Sequence, residues 1–272
     1  MKVAYLGPAG TFGEEAAIRC SEGAERIPCA SHAAVAAAVE AGTADFGVLA
    51  IENSLNGSVA ETLDILIHDV DLQIQNEIVV PVVHNLIAKP GCTIAELRVV
   101  YSHPQALGQC RQYLERALPD AQLEATLSTA AAVGTAIAQG CGAAAIATAR
   151  AAALFGGEIL AAGIQDSENN VTRFVVVGRG TPEPTGRDRT SIAFTFPQDR
   201  PGALASVLNE FAKRGINCTK IESRPTKEVF GEYAFLIDFQ GHASEAEGSD
   251  VLAAVRPLCE TLKVFGSYPR WR

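Results

Sequence analysis

The sequence has no CxxC pair, no surplus of basic residues and no apolar run long enough to span a bilayer. Each absence closes off a class. Seven cysteines, at 20, 29, 92, 110, 141, 218 and 259, are odd in number and scattered, so neither a zinc site nor a disulfide scaffold is expected. A formal net charge of −9 excludes non-specific nucleic-acid binding, which needs a basic surface. An anionic ligand would need a local basic or helix-end site. The opening "MKVAYLGPAG" has one lysine and then a strand-like run, unlike a signal peptide. Together these point to a cytoplasmic protein in a reducing compartment, with no membrane or nucleic-acid partner. The Gly-rich turn near residue 10 is not followed by GK[ST], so it is not a nucleotide P-loop.

What is present is a chain of 272 residues, 48% of them apolar, enough for an ordinary core in two domains. "RGTPEPTGRDRT" (179–190) mixes Gly, Pro and charge as linkers do. The part before it hides a repeat. Shifted by 98, "SHAAVAAAVEAGTADFGVLA" (31–50) falls on "TAAAVGTAIAQGCGAAAIAT" (129–148), matching Val35 with Val133, Gly42 with Gly140 and Val48 with Ile146. Each copy reads strand, tight turn, helix, loop, helix, strand. Two such lobes imply parallel sheets with crossover helices and a ligand site in the cleft between them. The chain enters the second lobe near "VVPVVHNLIA" (79–88) and returns through "NNVTRFVVVG". Residues 190–272 read β-α-β-β-α-β, the ferredoxin-like pattern, with Asp199 capping the first helix, Gly215 ending it and a second helix over about 246–261.

Four stretches carry candidate chemistry. In "YLGPAGTFGEEAA" (5–17), backbone N–H groups near Gly10, Thr11 and Phe12 can hold a carboxylate, or Thr11 is a plain helix cap. "GVLAIENSLNGSV" ends an apolar strand in Glu52, Asn53 and Ser54, with Ser58 before a helix as ligand contact or cap. "YSHPQALGQC" places His103 and Gln105 at the matching strand end of the second lobe, and Ser128 and Thr129 open a helix as cap or anion anchor. "SENNVTRF" packs hydrogen-bonding side chains against the mouth of a core strand. In the small domain, Glu222 and Arg224 at a strand end can hold a zwitterionic amino acid, or the sheet only dimerises.

In that order, "YLGPAGTF", "GVLAIENSLNGSV", "SHPQALGQC" and "ENNVTRF" resemble prephenate dehydratase, and "PGALASVLNEF" with "IESRP" resemble the ACT domain that follows it. Two departures are mild: Ala50 stands where Pro is usual, and Gly13 where Ser or Thr is common. The resemblance implies a two-lobed, periplasmic-binding-protein-like (type II) α/β catalytic domain plus an α+β ferredoxin-like ACT domain. The expected boundaries are 1–180 for the catalytic domain (lobe one 1–78 and about 160–180, lobe two 79–159), 181–189 for the linker and 190–272 for ACT. The implied reaction is decarboxylating dehydration of prephenate to phenylpyruvate in phenylalanine synthesis, without metal or organic cofactor. Arogenate dehydratase and a non-catalytic amino-acid sensor are the alternatives.

By resemblance, Thr172, Arg173 and Glu52 are catalytic, Thr172 donating to the leaving hydroxyl and Arg173 anchoring the side-chain carboxylate. Glu52 and His103 are candidate proton donors. Thr11, Asn53, Ser54, Ser58, His103, Gln105, Thr129, Asn170 and Phe174 are implied to bind substrate. L-phenylalanine is implied as allosteric effector, held at Gly202, Ala203, Leu204, Asn217, Glu222, Ser223, Arg224 and Pro225 between ACT domains of a homodimer or homotetramer.

Overall fold

The computed structural model describes residues 1–198, 200–227 and 231–271. In chain order, β1 (Lys2–Leu6), α1 (Phe12–Cys20), β2 (Glu25–Cys29), α2 (His32–Glu40), β3 (Phe46–Asn53), the short β4 (Gly57–Ser58), α3 (Ala60–Asp64) and β5 (Gln73–Pro81) build the first lobe. The second follows as β6 (Asn85–Ala88), β7 (Val99–Ser102), α4 (Pro104–Gln109), α5 (Arg111–Ala117), β8 (Gln122–Ala125), α6 (Thr129–Gln139), β9 (Ala143–Ala147), α7 (Ala149–Phe155) and β10 (Glu158–Ala161). The chain then returns to the first sheet as β11 (Val171–Gly178).

The repeat is present in three dimensions. The first sheet runs β2-β1-β3-β11-β5 and the second β8-β7-β9-β6-β10, the same order with the same antiparallel fourth strand. Two expectations are corrected. The "loop" between each pair of helices is a parallel edge strand, β2 or β8, and both sheets are mixed rather than wholly parallel. Pro28 sits in β2, and proline is tolerated there because the strand is an edge. The helix starts are cap-driven: Ser31 Oγ accepts from Ala34 N–H and Ser128 Oγ from Ala131 N–H, each at 3.1 Å. Strand pairing carries β5 to Pro81 and β10 to Ala161, so the lobe crossings lie at 82–84 and 162–170, a few residues beyond the expected 78/79 and 160.

The C-terminal domain comprises β12 (Asp188–Thr195), α8 (Ala203–Lys213), β13 (Cys218–Pro225), β14 (Tyr233–Gln240), α9 (Ala246–Val255) and β15 (Thr261–Pro269), with sheet order β13-β14-β12-β15. That order is ferredoxin-like. Gly202, at φ +86°, is the N-cap of α8, and Asp199, expected in that role, lies outside the described residues. The second helix stops at Val255 rather than 261, since Pro257 cannot continue it. One sheet face packs on α8 and α9 through Ile192, Phe194, Ile237 and Phe239. The other joins the first lobe's core: Ala193, Leu236, Phe265 and Tyr268 pack with Leu49, Ile74 and Val175. Gly266, at φ +147°, makes the contact possible, because a Cβ there would sit 2.5 Å from the Ile74 carbonyl oxygen.

Cys92 and Cys141 form a disulfide, against expectation. They are 49 residues apart, so only the folding of the second lobe brings them together. The other five cysteines are free. Among the described residues no helix is long and apolar enough to cross a membrane.

Candidate active site

A cavity of about 450 Å3 lies between the lobes. Its walls come from strand ends and helix starts: Leu6, Gly7, Thr11 to Gly13, Asn53, Thr172 and Phe174 of the first lobe, and His103, Gln105, Ser128 and Thr129 of the second. The lobes meet around it. Thr148 Oγ1 donates to the Gly10 carbonyl at 2.7 Å, and Arg150 pairs with buried Glu14 at 3.2 Å. Gly10, at φ +89°, permits this approach, since a Cβ would lie 3.1 Å from Ala151. At the far side, Gln105 and Gln109 both donate to Asn56 Oδ1, at 3.0 and 3.1 Å. Phe12 stands edge-on to His84 at 5.7 Å, in the crossing segment.

Thr172 is held from behind by Asn53. The Asn53 Oδ1 accepts from the backbone N–H groups of Leu55 and Asn56, both at 3.1 Å. Those donors fix the amide's orientation, so Nδ2 faces β11 and donates to Thr172 Oγ1 at 3.0 Å and to Asn170 Oδ1 at 2.9 Å. The Thr172 oxygen accepts, which leaves its own proton for a ligand in the cavity. Asn170, 2% exposed, braces Asn53 rather than lining the cavity.

Three other expected site residues point elsewhere. Arg173, the next residue in the strand, faces the ACT domain and binds Glu52 (2.9 Å), Asp238 (3.2 Å) and Glu77 (3.3 Å). Burial works against its charge, but Asp238 and the other acidic groups outweigh this and push its pKa up. Glu52 follows it out of the cavity. In the pairing of β3 with β11, Thr172 faces Asn53, Arg173 faces Glu52 and Phe174 faces Ala50, so Ile51 has no partner. That irregularity reverses the alternation of β3, placing Glu52 on the ACT side and Asn53 on the cavity side. Ser58 caps no helix. It donates to Glu222 and accepts from Lys220 Nζ at 2.7 Å, across the domain boundary.

Smaller corrections concern donors already engaged. The Gly10 N–H donates to Glu14 Oε2 at 2.7 Å, leaving the α1 start to Thr11, which is its N-cap and also lines the cavity. Ser54 Oγ bonds the Asn169 carbonyl and the Val171 N–H, tying the turn to the β11 entry. Glu222 and Arg224 face the first lobe, Arg224 pairing with Asp64 at 2.9 Å, so neither is free for an amino acid. Gly202, Asn217, Ser223 and Pro225 are exposed, and Ala203 and Leu204 half-buried.

The sequence reading missed His32 and His84. His32 is 7% exposed and lines the cavity, with Nδ1 3.1 Å from Glu61 Oε2 and Nε2 unpartnered. Ser31 and Ser128 are equivalent helix caps, a register one residue off the 98-residue shift of the sequence repeat, and in it His32 is the counterpart of Thr129. His84, 2% exposed, has Nε2 2.9 Å from Gln109 Oε1, and burial lowers its pKa.

The prephenate dehydratase family model matches residues 3–182 and the ACT domain model residues 192–256. A bifunctional chorismate mutase/prephenate dehydratase of Aquifex aeolicus is 42% identical over 99% of this chain and 74% of its own length. The structure of an Arthrobacter aurescens prephenate dehydratase in complex with L-Phe superposes with a TM-score of 0.91 at 38% identity, covering 99% of this chain and 90% of that one. GqqA, described as a novel type of quorum quenching acylase, gives 0.90 at 30% identity, covering 100% and 98%. The chain belongs to the prephenate dehydratase family, with an ACT domain at its C-terminal side.

Proposed function

We propose that the inter-lobe cavity converts prephenate to phenylpyruvate, carbon dioxide and water, with Thr172 as the donor to the leaving hydroxyl. The bond from the ring to its carboxylate breaks, its electron pair aromatises the ring, and the C4–O bond breaks as hydroxide takes a proton. The observation that carries this reading is the Thr172 hydroxyl, aimed into the cavity with Asn53 donating to it from behind. A threonine is a poor acid, so its contribution is a fixed hydrogen bond to charge developing on the leaving oxygen. The N-termini of α1 and α6 face the substrate from opposite lobes, and their backbone donors favour its carboxylates. Thr11, Thr129, His103, Gln105 and Phe174 are the further contacts this reading assigns.

L-phenylalanine acts as effector at the ACT domain, using exposed Gly202 and half-buried Ala203 and Leu204 together with exposed Asn217, Ser223 and Pro225. On this reading the effector sits by β13, an edge strand of its sheet, and a second subunit of a homodimer or homotetramer completes the pocket. A cytoplasmic location is favoured by the five free cysteines, and the Cys92–Cys141 disulfide counts against it. The test is phenylpyruvate formation from prephenate, read by ultraviolet absorbance in alkali with and without Phe. Formation that Phe suppresses is expected. Formation indifferent to Phe removes the regulatory role, and turnover of arogenate alone replaces the substrate.

A further inference from the structure

Prephenate carries two carboxylates, yet the cavity has no lysine or arginine among its lining residues. With Arg173 turned toward the ACT domain, the side-chain carboxylate has no guanidinium to meet it. The lining residues that can become cationic are three histidines: His32, His84 and His103.

Two of these are poorly placed to carry charge. Burial lowers the pKa of His84, which favours its neutral form. His103 uses Nδ1 to accept from the Gln105 N–H at 3.3 Å as the N-cap of α4, a bond that protonation there forfeits. His32 differs. Its Nδ1 lies 3.1 Å from the Glu61 carboxylate, its Nε2 is buried and unpartnered, and the residue lines the cavity, so a small turn of the ring is what brings Nε2 to a ligand. An imidazole between two carboxylates, Glu61 behind and the substrate in front, is stabilised in its protonated form. The positive end of α2, where His32 is the first residue, opposes that charge. The second carboxylate therefore matters: the proton is taken up with the substrate.

We propose that His32 is a substrate-binding residue, taking up a proton as prephenate binds and holding its side-chain carboxylate through Nε2–H. This rests on the dehydratase reading of the cavity. Holding the side-chain carboxylate leaves the ring carboxylate free to depart, whereas clamping the latter would stabilise the ground state. Several elements pack against α2, among them the turn at 65–69, which carries exposed His68 and Asp69. From α3 comes Glu61; β1, β3 and β11 face the cavity with Leu6, Val48, Ala50, Asn53, Thr172 and Phe174; β2 turns Ile27 and Cys29 to the core. Across the cavity stand only His84 and His103 as titratable groups.

The experiment measures KM and kcat for prephenate between pH 5.5 and 8.5 (roughly the imidazole range) for the unaltered chain, His32→Gln and Glu61→Gln. Expected for the unaltered chain is a KM that rises about tenfold per pH unit on the alkaline side, with kcat nearly level. His32→Gln raises KM roughly 10- to 100-fold at the acid end and flattens its pH dependence. Glu61→Gln, at a half-exposed position, moves the KM rise to lower pH. Calorimetry with phenylpyruvate, which keeps only the side-chain carboxylate, reads proton uptake by the unaltered chain in buffers of different ionisation enthalpy, and His32→Gln loses it. A pH-indifferent KM in a chain that makes phenylpyruvate overturns the role of His32 alone. A fall in kcat rather than a rise in KM also overturns it, since that marks a proton donor. No phenylpyruvate from the unaltered chain overturns the dehydratase reading, and the His32 assignment with it.

Discussion

Thr172 and Arg173 are consecutive residues of β11 that serve opposite sides of one sheet: the threonine hydroxyl enters the inter-lobe cavity, and the guanidinium is locked between Glu52, Glu77 and the ACT residue Asp238. The alternation of a strand makes this unavoidable. It also means that the residue assigned to the leaving hydroxyl is one peptide bond from the interface with the regulatory domain. Asp238 is itself held by Ser191 Oγ at 2.6 Å, and Ser191 bonds the Tyr268 hydroxyl, so the contact extends into the ACT sheet.

Replacing Thr172 by valine keeps the strand shape and removes the donor. The kcat for prephenate should fall by about 10²–10³-fold, the usual effect of losing one preorganised donor. Thr172→Ser should retain most of the rate, because Asn53 can still donate to a hydroxyl there. Steady-state kinetics with circular dichroism as a fold check decides it. A valine variant within threefold of the unaltered rate removes Thr172 from the chemistry.

Arg173→Met tests the other side of the strand. The guanidinium is 11% exposed and neutralises carboxylates that stay buried, so its loss should destabilise the fold by about 3–5 kcal/mol. Denaturant unfolding measures this. The resemblance assigned Arg173 to the substrate, and a large rise in KM with unchanged stability would restore that role.

Much of the architecture was legible because it is written in local chemistry. Ser128 and Thr11 cap helices where their positions say they should. The repeated pattern of small and β-branched residues predicted the two lobes, whereas of the polar run at 167–173 only Thr172 lines the cavity. What stayed hidden depends on tertiary contact. Strict alternation along β3 cannot reveal that Ile51 lacks a partner and that Glu52 consequently leaves the cavity. Glu222 and Arg224 read as ligand-binding polar residues at a strand end, but they share a face with Leu236 and Asp238 that packs on the first lobe. Nothing in the spacing of Cys92 and Cys141 distinguishes them from the five free cysteines.

Asp64→Asn probes communication between domains. Asp64 accepts from Arg224 Nε at 3.0 Å and from Lys227 Nζ at 2.6 Å. Burial alone would raise its pKa, but Lys227 and Arg224 hold it below the ordinary carboxylate value. Arg224 lies on β13, the strand whose other face carries Ser223 of the proposed effector surface. Cutting this tie should leave uninhibited turnover within about twofold and raise the inhibitory Phe concentration at least about fivefold, the lower end of ordinary coupling. Inhibition curves with and without the substitution provide the measurement. Coincident curves would show that β13 signals by another route.

The Glu14–Arg150 pair gives the lobe contact a pH dependence of known sign. Glu14 is 4% exposed, and burial on its own would raise its pKa. Hydrogen bonds from Arg150 and from the Gly10 N–H outweigh that and hold it below its ordinary value of 4.5. Because the folded-state value is the lower one, the stabilisation is present in full above about pH 4.5 and is lost as pH falls through the folded value. Glu14→Gln should therefore cost about 1.5–3 kcal/mol at pH 7, as expected for hydrogen bonds to a charged group. The gap between the two proteins should narrow below pH 4 as the native carboxyl protonates. Urea unfolding at pH 7, 5, 4 and 3 follows that gap directly. A difference that stays constant across the series would mean that Glu14 contributes by packing rather than by its charge.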